Sequence, residues 1–304
     1  MKVLVTGASG FSGRHLIRHL AGNSSAEIYC TSLTPRNDCN WFYCDLTNTK
    51  ETVELMAQVA PDQIYHLAGV RSHDYQTDYQ VNVLSTQNLL ENIAQTKSQC
   101  RVLVVGSSAE YGFVAEEDNP VSEDYALTPM SLYGLTKVYQ TYLMKFYVSR
   151  YNLDIVMARP FNLLGRSISS ELFLGRVYGQ IEAYKAGLIS KILVGNLEHR
   201  RDYIPVEQAV RYYALIMQRS TAGEIYNVGS GVSIKMRDLL HRILEENGLS
   251  MEIVEEQASS GDAFDIKDLV ADISKLQALV AASSAPKMGT SETSQTAFPK
   301  PLAS

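Results

Sequence analysis

Three glycines near the start of the 304-residue chain constrain its fold more than any other feature. Met1-Lys-Val-Leu-Val-Thr6 holds a short apolar run, Val3 to Val5, as a strand buried on both faces does. Gly7-Ala-Ser-Gly10-Phe-Ser-Gly13 follows, and then Arg14-His-Leu-Ile-Arg-His-Leu20 with helical periodicity. Glycines let the backbone turn sharply and approach a pyrophosphate, and the next helix aims its first amides at the phosphates. The spacing is Gly-x-x-Gly-x-x-Gly rather than Gly-x-Gly-x-x-Gly. Its position between an apolar strand and an amphipathic helix marks a dinucleotide site. Gly7, Ser9, Gly10, Phe11, Ser12 and Gly13 are the candidate cofactor contacts.

The second strand is expected at 27–32. A cofactor with a free ribose 2′-hydroxyl meets an Asp or Glu about 20 residues after the glycines. Thr31 and Ser32 stand there, with Arg36 close behind. No carboxylate repels a 2′-phosphate and an arginine is at hand to bind one, so NADP is preferred over NAD. The competing reading makes Arg36 an ordinary arginine of a loop shared with Pro35, Asn37 and Asp38.

Strands at 2–6, 27–32, 63–67, 101–106 and 154–158 alternate with helices at 11–21, 50–59, 79–96 and 131–151. That order predicts an α/β fold, a doubly wound, Rossmann-like parallel sheet, over residues 1–160. Later elements are looser: helix 171–186, strand 191–194, helix 206–218, strand 225–228 and helix 235–247. Residues 161–282 are read as mainly a smaller C-terminal substrate lobe over the carboxyl ends of the strands, with some segments returning to the first domain. Residues 283–304, rich in Ser, Thr and Pro without apolar periodicity, read as a disordered tail.

The net charge of -6 and the lack of a basic run argue against nucleic acid as a partner. No apolar stretch reaches membrane-span length, and the N-terminus enters a strand without a signal peptide. Cys30, Cys39, Cys44 and Cys100 show no Cys-x-x-Cys spacing and read as reduced thiols of a cytoplasmic protein. The scattered histidines suggest no metal site.

Ser131-Leu-Tyr-Gly-Leu-Thr-Lys137 places Tyr133 and Lys137 four residues apart, on one helix face. An ammonium beside a phenol favours the phenolate, so the tyrosine pKa is expected to fall. Such a tyrosine can exchange a proton with a carbinol or carbonyl. Ser107 and Ser108 follow the buried strand 102–106, where a serine hydroxyl can bond the same substrate oxygen. A serine satisfying turn amides is the alternative.

With these motifs in place, the chain resembles the extended short-chain dehydrogenase/reductases that act on nucleotide sugars. The resemblance covers roughly residues 1–280. Beyond the glycine turn, Ser107-Ser108 and Tyr133/Lys137, it is carried by Cys44-Asp45-Leu46, His66-Leu-Ala-Gly69, Val81-Asn82-Val83, Arg159-Pro-Phe-Asn162, Arg201-Asp-Tyr203 and Tyr226-Asn-Val-Gly229. It implies that Asp45 and Leu46 flank the adenine and that Leu67 and Ala68 line the cofactor. It further implies that Lys137 bonds the nicotinamide ribose and that Asn162 meets the substrate diphosphate. His66 reads as a structural strand-end residue and Asn82 as a buried helix polar group. The run Val194 to Tyr203 looks most like GDP-mannose 4,6-dehydratases and GDP-4-keto-6-deoxymannose reductases. Arg201, with Arg200 as alternate, is the diphosphate candidate; the competing reading pairs both with Glu198 and Asp202.

Family dehydratases carry an acid/base carboxyl two residues before the tyrosine matching Tyr111, and here that place holds Ala109. Glu110 is one residue late, so its side chain should point elsewhere. Reduction of a 4-keto-6-deoxy nucleotide sugar is therefore expected, with dehydratase or epimerase chemistry as alternatives. A non-catalytic nucleotide-binding sensor or scaffold is the alternative from another class. It draws on Asp262, where the family has an arginine, and on the polar tail in place of a Gly-Trp-x-Pro ending. The resemblance also implies a homodimer through helices 79–96 and 131–151, the second bearing Tyr139, Tyr142, Phe146, Tyr147 and Tyr151.

Overall fold

The computed structural model describes residues 1–35, 40–72, 74–257 and 266–284. Arg36, Cys39, Asp262 and residues 285–304 of the expected tail lie outside the described residues. Seven parallel strands form the main sheet: β1 (Lys2–Thr6), β2 (Glu27–Ser32), β3 (Trp41–Tyr43), β4 (Gln63–His66), β5 (Arg101–Val105), β6 (Ile155–Pro160) and, later in the chain, β10 (Ile225–Val228). Their order is β10-β6-β5-β4-β1-β2-β3. The chain winds outward from β1 to one edge, then restarts at β4 and winds to the other. The switch point lies between β1 and β4, and ligands of such sheets bind outside the carboxyl ends there.

Parallel strands need crossover helices, which cover both faces. Val3 and Val5 point to one face, with α1 (Phe11–Asn23) and α7 (Val206–Arg219). Leu4 points to the other, with α2 (Thr49–Val59), α4 (Ser85–Thr96) and α5 (Leu132–Tyr151). The helix before α5 is compound: α3 (Tyr75–Asp78) runs through a π-helical segment, Tyr79–Leu84, into α4. The expected helix at 79–96 thus starts four residues early and holds a π-turn. Helix α9 (Ser274–Ser284) brings Leu276 into the α1/α7 core and extends into the first residues of the expected tail.

Two smaller sheets hold most of the strands the sequence pattern did not foretell. Strand β9 (Arg200–Pro205) pairs with β11 (Ser233–Lys235), β13 (Asp268–Leu269) and β7 (Asn162–Leu164). Strands β8 (Ile192–Val194) and β12 (Val254–Glu256) pair beside α6 (Phe173–Lys185) and α8 (Met236–Glu246), with their own apolar cluster. Three-residue strands carry too few positions to show a period of two. Among the described residues no helix is long and apolar enough to cross a membrane.

One buried ion pair ties the sheet to its loops. Arg159 on β6 donates from Nη2 to Glu110 Oε2 at 2.9 Å, with both side chains essentially inaccessible. Arg159 Nη1 also donates to the Tyr111 hydroxyl at 2.8 Å, which donates to Asn227 Oδ1 on β10 at 2.6 Å. Glu110 in turn accepts from Thr141 of α5 at 2.6 Å and from the Ser107 amide at 2.8 Å. Breaking a buried pair strands one charge, which is costly. Arg159→Met is expected to lower the urea-unfolding free energy by about 3–5 kcal/mol, and Glu110→Leu/Arg159→Met to recover part of that loss.

Candidate active site

At the switch point the glycine turn meets the end of β4. Gly7 has φ +63°, and a Cβ there would stand 2.7 Å from the Leu67 carbonyl and Ala68 amide. The turn closes with the Gly10 amide donating to the Gly7 carbonyl at 3.0 Å. Gly10 is the N-cap of α1 and offers no capping side chain, so the first amides of the helix, Phe11 to Gly13, face outward for an anion. These features fit a dinucleotide pyrophosphate: a cradle that side chains would fill and an uncapped helix start. Leu67 and Ala68 border the turn, and the Ala68 amide donates to Thr6 Oγ1 at 3.2 Å. Past β3, Asp45 Oδ1 accepts from the Thr47 amide and hydroxyl, and Leu46 is buried beneath.

His66 is structural, as expected. Its Nδ1 lies 2.8 Å from Thr6 Oγ1 and its Nε2 2.9 Å from Thr86 Oγ1. Thr86 donates its proton to the Asn82 carbonyl, so the network assigns the imidazole proton to Nε2. Burial, aided by the nearby Lys137, pushes the imidazole down to about 3 and keeps it neutral. Asn82, inside the π-segment, accepts from the Val70 amide and donates to the Val70 carbonyl and to Thr136 of α5.

Tyr133 and Lys137 sit on the first turns of α5, beside the turn after β5. Gly134 permits this approach: a Cβ there would lie 2.4 Å from the Ala109 carbonyl. Ser107 stands beside Tyr133 and opposes the rise of its pKa, and Ser107 Oγ accepts from the Ala109 amide at 3.1 Å. Ser108 only begins the short 3-10 turn. Lys137 is buried, with Nζ 5.7 Å from the Tyr133 ring centroid and donating to the Val105 carbonyl at 3.1 Å.

The expected fall in the phenol pKa is not what the geometry gives. Burial pushes Tyr133 up to about 12, against the opposing pull of the Ser107 hydrogen bond. Burial likewise lowers Lys137 to about 8. Both are shifted toward their neutral forms, the inaccessible lysine by full burial and the half-buried phenol by partial desolvation.

The diphosphate candidates come together on one small sheet. Asn162 on β7 is paired with Tyr203 on β9, and its Nδ2 donates to the Asp202 carbonyl at 3.0 Å. By strand alternation Arg201 shares the face of Tyr203 and Asn162, while Arg200 faces the other way. Arg200 is committed there, with Nε 2.8 Å from Ser233 Oγ and 3.7 Å from Asp268 Oδ2. Among the described residues Arg200 does not pair as the competing reading had it. Glu198 engages Lys235 and Arg237, and Asp202 accepts from the backbone amides of Ser230, Gly231 and Ala271. Arg71, which the sequence motifs did not single out, lies with its guanidinium carbon 6.0 Å from the Tyr133 ring centroid. Its signal was available, since it stands two residues past the His66-to-Gly69 motif.

The model of the NAD dependent epimerase/dehydratase family matches residues 3–229, and the chain belongs to that family. It is an NAD(P)-dependent oxidoreductase of a nucleotide-sugar-modifying family. The chain is 28% identical over 263 residues, 84% of each sequence, to a GDP-6-deoxy-D-mannose reductase of Pseudomonas aeruginosa. It is 27% identical over 285 residues, 91% of this chain and 90% of the other, to a GDP-6-deoxy-D-talose 4-dehydrogenase of Aggregatibacter actinomycetemcomitans. The solved structure of RMD from Pseudomonas aeruginosa complexed with NADPH superposes with a TM-score of 0.81 at 24% identity, covering 92% of both chains.

The depressed Lys137 pKa has a sign that can be tested. Below about 8 the folded state carries the full cost of a buried ammonium, and that cost fades as pH rises toward the ordinary 10.5. Lys137→Met is therefore expected to gain about 1–3 kcal/mol on wild type at pH 7 relative to the same comparison at pH 10, read by urea unfolding at both pH values.

Proposed function

We propose that the protein reduces the 4-keto group of a nucleotide-linked 4-keto-6-deoxy sugar, GDP-4-keto-6-deoxymannose being the first substrate to test, with NADPH preferred. The observation that carries this reading is the state of the only carboxyl beside Tyr111 in that turn. Ala109 occupies the dehydratase position, and Glu110 is sealed against Arg159, Thr141 and the Ser107 amide. A carboxyl so engaged cannot reach a substrate proton, whereas ketone reduction needs none.

Bound nicotinamide supplies the hydride. Tyr133 holds a proton at neutral pH, as a donor to a developing alkoxide must, and burial keeps it there. Ser107, beside the same phenol, is the group to hydrogen-bond the substrate oxygen and steady its negative charge. Lys137, anchored on the Val105 carbonyl, is the group to hold the cofactor ribose. The smaller unit around β8, β12, α6 and α8 is the substrate lobe in this reading, with Arg201 and Asn162 as the diphosphate grip. The cytoplasm is its proposed location. A homodimer is proposed through a groove of about 650 Å³ between α3–α4 and α5, lined by Tyr75, Tyr79, Tyr139 and Tyr142.

Mixed with GDP-4-keto-6-deoxymannose, the protein is expected to oxidise NADPH faster than NADH, followed at 340 nm. Tyr133→Phe should lower kcat by roughly 10²–10⁴-fold, the range of a lost general acid. If neither cofactor is oxidised while GDP-mannose is dehydrated, the reductase reading is wrong. For assembly, Tyr139→Glu/Tyr142→Glu is expected to yield monomers by light scattering where wild type yields dimers.

A further inference from the structure

The loop after β4 is held with unusual care for an exposed segment. On one side of Arg71 the Val70 amide and carbonyl are both bonded by the Asn82 side chain, at 2.8 and 2.9 Å. On the other, the Ser72 amide and hydroxyl both bond Asp78 Oδ1, each at 2.7 Å. Asn82 and Asp78 are buried, and both belong to the compound helix that enters the π-segment. Two buried polar side chains thus fix the backbone of the residues flanking Arg71. What this presents is the guanidinium, 6.0 Å from the Tyr133 ring centroid. Among the described residues no carboxylate forms an ion pair with it.

The surroundings of the phenol give this charge a task. Facing Tyr133 are Ser107 and Glu110 from the turn after β5, Asp78 from α3, Lys137 from α5, Tyr213 from α7 and Arg71. Glu110 and Asp78 both disfavour the phenolate. His66 is neutral and sits against Lys137. Lys137 stands at a similar distance, and burial lowers its pKa to about 8. A guanidinium keeps its charge across the pH range of a folded protein. A proton donor works best when its proton affinity is not far above the working pH, and Arg71 is the permanent cation on hand.

We propose that Arg71 is a positioning residue for Tyr133, its clamped guanidinium supplying the positive field that eases proton loss from the phenol. The inference rests on Tyr133 being the proton donor of the proposed reaction, but it can be tested without substrate. With 3,5-difluorotyrosine incorporated at position 133, whose phenol is more acidic than that of tyrosine, a single ¹⁹F resonance reports titration of this site alone. Arg71→Gln is expected to raise that midpoint by about half to one pH unit, the work of one charge at this distance in a partly solvated site. Arg71→Lys, which keeps a cation, should stay close to wild type. A midpoint unchanged in Arg71→Gln overturns the proposal, and so does an unchanged midpoint accompanied by weaker NADPH binding, which would make Arg71 an anion contact. The titration needs neither substrate nor turnover, so failure of the Arg71 proposal and failure of the reductase assay are distinguishable.

Discussion

The Glu110–Arg159 pair is the interaction on which the site depends. Arg159 lies inaccessible near the carboxyl end of β6, and its charge is tolerable only because Glu110 meets it at 2.9 Å. Glu110 can do so only by folding back from the turn after β5, and in doing so it accepts the Ser107 amide. Ser107 is thereby fixed where its hydroxyl meets Tyr133. The same carboxyl takes Thr141, which holds α5 against the turn, and Arg159 continues through Tyr111 to Asn227 on β10. A cost of desolvation in the core is thus converted into placement at the sheet edge. It also removes Glu110 from chemistry, and so bears on which reaction the site can run.

Burial shapes the two titrating groups in the same direction as solvation theory requires and against the simple pairing argument. An ammonium four residues from a phenol lowers the phenol pKa only while it remains an ammonium. Here burial moves both groups toward their neutral forms, lowering the lysine and raising the phenol.

How much of this was legible in the sequence follows from how local each feature is. The glycine turn, its strand and its helix are contiguous, so the cradle at Gly7 could be read from residues 1–20, and the strand-helix alternation carried the parallel sheet. The position of Glu110 relative to Ala109 was enough to turn its carboxyl away, but not to find Arg159, 49 residues on, as its partner. The short strands β3, β7, β11, β12 and β13 exist because neighbours distant in sequence complete them, and three residues or fewer hold no period to detect. The sequence motifs ranked Arg201 ahead of Arg200 without a geometric reason, and the register of β9 against β7 supplies one by putting Arg201 on the face of Asn162.

That register shows how the site is built across two sheets. Strand β6 ends at Pro160, and β7 begins at Asn162, where it pairs with β9 instead of continuing the main sheet. The chain therefore carries a donor from the edge of the cofactor crevice directly onto the small sheet that bears Arg201. Phe161, between the two strands, is buried in a separate cluster with Tyr111, Val121 and Leu269. Its burial fixes the bend, and Tyr111 is the residue through which Arg159 reaches β10. The face bearing Asn162 and Arg201 and the Ser107 turn are consequently anchored to the same buried network, so a change that loosens Tyr111 shifts both together.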